Sequence, residues 1–213
     1  MKRIPAAHFA LLIVVVLVFL WSGWRPYDRL TWWLEIFPGL AGLLILVSTY
    51  RRFRFTTLCY TLIAFHICIL CVGGHYTYAR EPVFDWLRTT FGWQRNHFDR
   101  LGHFAQGSVP AIIARELFLR LGIVNRRSWL PFLVVCVCLA ISASYELIEW
   151  CTAALSGSAA TAFLATQGDV WDTQKDMLMA LIGAICALLF LSKWHDRQLA
   201  KLTENNEANK GRV

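Results

Sequence analysis

The chain has 213 residues, of which 57% are hydrophobic, with a mean hydropathy of +0.46 and a formal net charge of +7. An apolar share above the roughly half found in soluble domains points to a membrane protein. The basic excess sits in short loops between apolar runs, which excludes a nucleic-acid-binding role and ties the charge to membrane topology.

The apolar runs predict an all-α, polytopic membrane protein with about six transmembrane helices, at 8–24, 30–50, 57–74, 101–121, 129–150 and 177–194. They form one domain over 1–195, followed by a polar cytoplasmic tail, 196–213, expected to fray. The first run follows Lys2 and Arg3 as a secretory signal would, but "SGWRPYDR" offers no small-x-small cleavage site and the rest of the chain is itself apolar. Trp32, Trp33 and Trp150 read as interface belt residues. The seven cysteines lie almost wholly inside apolar runs, where the C-x-x-C of Cys68 and Cys71 reads as packing, not redox chemistry.

Between the third and fourth runs, "YAREPVFDWLRTTFGWQRN" mixes Val83, Phe84, Trp86, Leu87, Phe91 and Trp93 with charges. Pro82 suits a first helical turn, so a short interfacial helix is expected here. Later in the chain, Arg115 is near enough to a helix end to snorkel, and Glu116 and Arg120 are spaced to pair.

Lys and Arg are concentrated in alternate loops: Lys2 and Arg3, Arg51 to Arg54, Arg120 to Arg127, and the segment after Lys193. That pattern predicts that both termini are cytoplasmic. The acids gather on the opposite side, which the topology rule does not require.

There the third run ends in "GGHYTY", the fourth begins "NHFDRLGHFAQG", the fifth ends "SYELIEW" and the sixth opens with Asp169, Asp172 and Asp176. Asp99 and His103 are i, i+4, with Gln106 three residues on; Glu146 and Glu149 are i, i+3. Asp169 and Asp172 read as a helix start, with Asp169 as N-cap, an arrangement that contributes about 1 kcal/mol. Asp176 lies two turns in, where the dipole has faded and a lipid-facing carboxylate costs about 2.5–3.5 kcal/mol at mid-membrane, so it requires a partner. The candidate site is therefore Asp99, His103, Glu146, Glu149, Asp172 and Asp176 as acid–base groups, with His75, Asn96, Arg100 and Gln106 orienting a ligand. Carboxylates with imidazole suit a divalent cation such as Mg, Mn or Zn, with Asp99, His103, Glu146, Asp172 and Asp176 as its ligands.

The stretches "GGHYTYAREP", "RNHFDRLGHFAQG", "LAISASYELIEW" and "FLATQGDVWDTQKDM" resemble the YjdF family of bacterial inner-membrane proteins. That resemblance implies a multi-pass inner-membrane location and no particular activity. A more distant one is to VanZ-like proteins: Asp99, Arg100, His103 and Phe104 match their first motif, Glu146 their second and Asp172 their third. Glu149 stands where that pattern has Gln and Asp176 where it has Asn, which adds two acids. Three functions fit the sequence: a site on the outer face that binds or processes a lipid or cell-envelope small molecule with a divalent metal, a small proton-coupled transporter, or a structural protein whose polar cluster pairs internally. The bilayer itself is the partner that all three share.

Overall fold

The protein was analysed as a computed structural model, which describes residues 4–156 and 166–210. Lys2, Arg3 and Arg212 of the basic set lie outside the described residues, as does the "Phe163–Ala165" part of the last motif. Among the described residues the structure is entirely helical: α1 (Ala6–Gly23), α2 (Arg29–Thr49), α3 (Thr57–Tyr76), α4 (Pro82–Phe91), α5 (Phe98–Arg120), α6 (Leu130–Ser156) and α7 (Asp172–Lys210), with 3-10 turns at Tyr78–Arg80 and Arg127–Trp129.

Five of these, α1, α2, α3, α6 and α7, are long and apolar enough to cross a membrane. The remaining long helix, α5, carries Asp99, Arg100, His103, Gln106, Arg115 and Glu116 and fails a simple apolarity test. It tolerates them because it lies at the centre, packed on α3, α6 and α7, and most of its residues between Phe98 and Glu116 are buried. Polar groups inside such a bundle are satisfied by neighbouring helices.

Small residues make the tightest contact. A Cβ on Gly107 of α5 would sit 1.8 Å from the carbonyl oxygen of Ala180, and one on Gly183 of α7 would sit 2.2 Å from that of Phe104. With Ala111, Ala180, Ala184 and Ala187 also buried, the α5 and α7 backbones meet directly, as small residues allow between membrane helices. On the other flank α1 and α2 both pack on α3 and scarcely on each other. Trp32 joins this side and is not a belt residue: it is buried, and its indole N–H donates to Ser22 Oγ at 2.8 Å. Trp33 and Trp150 are exposed.

The segment between α3 and α5 does form a short helix. Glu81 caps it, accepting from Phe84 N–H at 2.7 Å, Pro82 opens it, and Gly92 at φ 66° closes it. It leaves Val83, Trp86 and Phe91 exposed. Two expectations are corrected at the other end of the bundle. The polar segment after Trp194 is not frayed but continues α7 to Lys210, held where Gln198 Oε1 accepts Leu58 N–H at 2.9 Å. Arg115 does not snorkel: it is buried and bound to His195 and Asp196. All seven cysteines are free thiols, with Cys71 buried between α1, α2 and α3.

Candidate functional site

The acidic end of the bundle is built around the start of α5. Asn96, fully buried, is fixed through every polar group it has: its N–H donates to Gln167 Oε1, its carbonyl accepts from Gln167 Nε2, its Nδ2 donates to Glu81 O, and its Oδ1 accepts from Phe98 N, each at 2.9 Å. Gln167 and Gly168, at φ 48° and 84°, turn the chain before α7 so that this clasp can form. The loop carrying Asp169 is thereby held over the α5 N-terminus. Asp169 is not the helix cap but a turn residue two positions earlier, accepting Trp171 N–H at 3.1 Å and the Lys175 ammonium at 2.7 Å. Those two donors, Lys175 first, hold its carboxyl below its ordinary value.

Two arginines lie across the aspartates. Arg95 donates to Asp172, and reaches Asp99 at 3.3 Å and Asp169 at 3.4 Å. Arg100 donates to Asp176, to Asp172 at 2.6 Å, and reaches Asp169 at 3.4 Å. The partner that Asp176 requires is thus Arg100. Sequence reasoning missed Arg95, which precedes α5 and belongs to no helical stripe.

His103 is the centre of what remains. Its Nδ1 is 3.0 Å from Gln106 Oε1, so that nitrogen carries a hydrogen, and Glu146 Oε1 lies on the same side at 3.8 Å. Its Nε2 points the other way, 3.4 Å from Asp99 Oδ1 and 3.7 Å from Asp176 Oδ1. Asp99, His103 and Asp176 each offer a ligand atom within 4.8 Å of the others, and all three are buried. Four aspartates face three permanent cations here, and Glu146, Glu149 and Glu35 add further carboxylates nearby. Glu146 Oε1 is buried without a hydrogen bond among the described residues. Glu35, whose direction the sequence leaves open, is buried and accepts the Tyr145 hydroxyl at 3.3 Å, and Tyr145 stands edge-on to His103.

The structure brings Asp99, Arg100, His103, Gln106, Glu146, Asp172 and Asp176 together. Glu149 is half-buried and lies on the same side of the bundle as His103. His75 is elsewhere, bound to the Ser22 carbonyl at 2.9 Å and stacked near Trp21 on the α1 side. Asn96 serves the scaffold.

A second buried cluster, at the opposite end, joins Cys59 of α3, Glu116 of α5 and His195 of α7 within ligand distance of one another. Its carboxylate is already saturated. Glu116 Oε1 accepts Thr56 N–H at 3.0 Å and Arg120 at 2.6 Å; Oε2 accepts the Thr56 hydroxyl at 2.7 Å, and His195 Nε2 lies 3.0 Å away. The Arg115 guanidinium, 2.9 Å from His195 Nδ1, makes that nitrogen the acceptor and Nε2 the donor. This group is a complete clamp between three helices, with cationic Arg115 and Arg120 on either side.

Comparison with known proteins follows from this architecture. The family described as "Predicted membrane protein (DUF2238)" matches residues 7–197. The chain belongs to this family. It is 48% identical over 189 residues to the inner membrane protein YjdF of Escherichia coli strain K12, covering 89% of this chain and 90% of that protein. The resemblance to YjdF proteins drawn from the four motifs is therefore correct, and the protein is a membrane protein related to one of the inner membrane. No solved structure matches the chain.

Proposed function

We propose that the acidic end of the bundle is a divalent-cation site on the non-cytoplasmic face, which binds or processes the anionic group of a lipid or cell-envelope intermediate through that cation. The observation that carries this reading is the orientation of His103. With Nδ1–H committed to Gln106, Nε2 presents its lone pair toward two carboxylate oxygens, Asp99 Oδ1 and Asp176 Oδ1. Asp176 Oδ1 is already met by Arg100, but Nε2 and Asp99 Oδ1 are two acceptors facing each other, which is repulsive unless a cation or an extra proton lies between them.

A divalent ion answers that need with little rearrangement, because metal–ligand distances of about 2.0–2.2 Å bring ligand atoms to within about 4 Å of each other. Asp99, His103 and Asp176 are then the ligands. Gln106 orients the imidazole through Nδ1, the usual role of an acceptor behind a metal-bound histidine, and Glu146 stands on that side at 3.8 Å, a ligand only if it moves. Asp172 is held by Arg95 and Arg100 and keeps those arginines at the rim, where their charge favours a phosphate-bearing group that carboxylates alone would repel.

The test is elemental analysis of the protein purified in detergent. About one divalent ion per chain is expected, lost from Asp99→Asn and from His103→Ala while thermal unfolding stays cooperative. Protein that holds no divalent ion, with or without prior chelator, would leave a proton as the species on His103 and overturn the metal reading.

A further inference from the structure

A different part of the molecule carries a second binding site, independent of the acidic cluster. α1 and α2 lean on α3 without closing against each other, and the gap between them is a cleft floored by α3. It comprises two cavities of about 290 and 210 Å³ that share Val15, Leu43 and Ile67 in their walls and so run into one another. On α1 the lining extends from His8 to Phe19, a length of about 16 Å at 1.5 Å per residue, with Ile4 just before the helix.

The walls are apolar along that whole length except at one end. There His8 is buried and pinned, with Nδ1 2.8 Å from the Tyr50 hydroxyl and Nε2 3.0 Å from Thr57 Oγ1. Tyr60 packs on the same imidazole at 4.5 Å between ring centroids, and Arg54 lies over the Tyr50 ring at 4.7 Å. Arg51 lines the mouth and is exposed, beside exposed Arg52. The only acids in the first sixty residues are Asp28 and Glu35, both at the far end of α2.

We propose that this cleft holds one acyl chain of an anionic phospholipid, with the phosphate at Arg51. Shape selects the chain: the joined cavities form a long apolar slot between two helices that scarcely touch each other, which suits a flexible hydrocarbon chain. Charge selects the headgroup: Arg51 and Arg52 are exposed where the apolar walls end, and basic residues at a membrane surface favour anionic lipid. His8, Tyr50 and Thr57 satisfy one another, so the mouth stays shaped and polar without presenting an unpaired group to the chain.

Native mass spectrometry of the detergent-purified, delipidated protein tests the assignment, using phosphatidylglycerol and phosphatidylcholine with identical chains. One phosphatidylglycerol retained per chain is expected, with about fivefold weaker retention of phosphatidylcholine. Arg51→Glu, an exposed position outside the packed interior, is expected to erase that preference. Leu43→Trp, where the two cavities meet, is expected to reduce retention of both lipids. Equal retention of the two lipids by the unaltered protein overturns the proposal, as does retention indifferent to both substitutions. A dimer that Leu43→Trp disperses would show that a second copy fills the cleft and would overturn it as well.

Discussion

At the scale of single residues, the aspartates at the head of α7 differ in what they need. Asp169 is met by a turn N–H and an exposed ammonium, whereas Asp176 lies inside the bundle and depends on Arg100. Arg100 also holds Asp172, so the two members of the Arg100–Asp176 pair are not equivalent. Arg100→Leu leaves a cluster of buried carboxylates uncompensated and is expected to cost about 3–5 kcal/mol, read as thermal or denaturant unfolding in detergent. Asp176→Asn leaves Arg100 on Asp172 and removes one surplus negative charge, so a loss of no more than about 1.5 kcal/mol is expected. Equal losses in the two variants would make Asp176 a purely structural residue. A pH effect belongs to Asp169. Its carboxyl is held below the ordinary value of 3.8, so the stabilisation it provides is present above that value and disappears as pH falls through the lowered one. Lys175→Met, which removes the larger cause, should move the Asp169 titration back up toward its unfolded value; unfolding midpoints followed from pH 6 to pH 3 check it, with the variant showing a smaller loss of stability on acidification.

At the scale of elements, the contact between α5 and α7 decides whether either polar cluster exists. Asp99 and His103 come from one helix and Asp176 from the other; at the opposite end Glu116 and His195 are divided in the same way. Both pairings depend on Gly107 and Gly183, where the backbones leave no room for a side chain. Gly107→Val is accordingly expected to cost about 3 kcal/mol or more and to lower thermal stability together with metal retention. Gly42→Ala is the control, since a Cβ there meets nothing within 4 Å. The same crossing explains what the sequence made legible. Helices on apolar runs could be read directly, and the i, i+4 spacing of Asp99 and His103 put them on one face of α5. Arg95 escaped notice because a loop residue has no periodicity to betray its direction. His195 escaped because it follows the end of the apolar run, and only contacts with Glu116 and Arg115 reveal that α7 continues through it. Glu35 was ambiguous for the same reason: which face of α2 meets α6 is set by packing, and no local pattern records it.

At the scale of the whole molecule, charge and helix direction together predict a membrane orientation. α1, α3 and α6 run toward the acidic end, and α2, α5 and α7 run away from it, as the hydrogen bonds at each end require: His8 with Tyr50 and Thr57 at one, Arg95 and Arg100 with the α7 aspartates at the other. Arg51, Arg52, Arg54, Arg120, Arg126, Arg127, Lys193 and Arg197 collect at the first of these ends. From the asymmetry of short basic loops we propose that this end, and with it both termini, is cytoplasmic. Reporter fusions measure this directly. Fusion of a fluorescent protein that matures only in the cytoplasm after residue 204 is expected to be bright, and alkaline phosphatase at the same point to be inactive. Phosphatase fused after Trp93, between α4 and α5, should be active, because that loop lies at the acidic end. An active phosphatase at the C-terminal fusion point would invert the orientation and put the Asp99–His103–Asp176 cluster in contact with the cytoplasm, where its ligand would have to be sought among soluble anions instead of envelope intermediates. The orientation therefore determines which chemistry the site can meet, and it can be measured before any ligand is known.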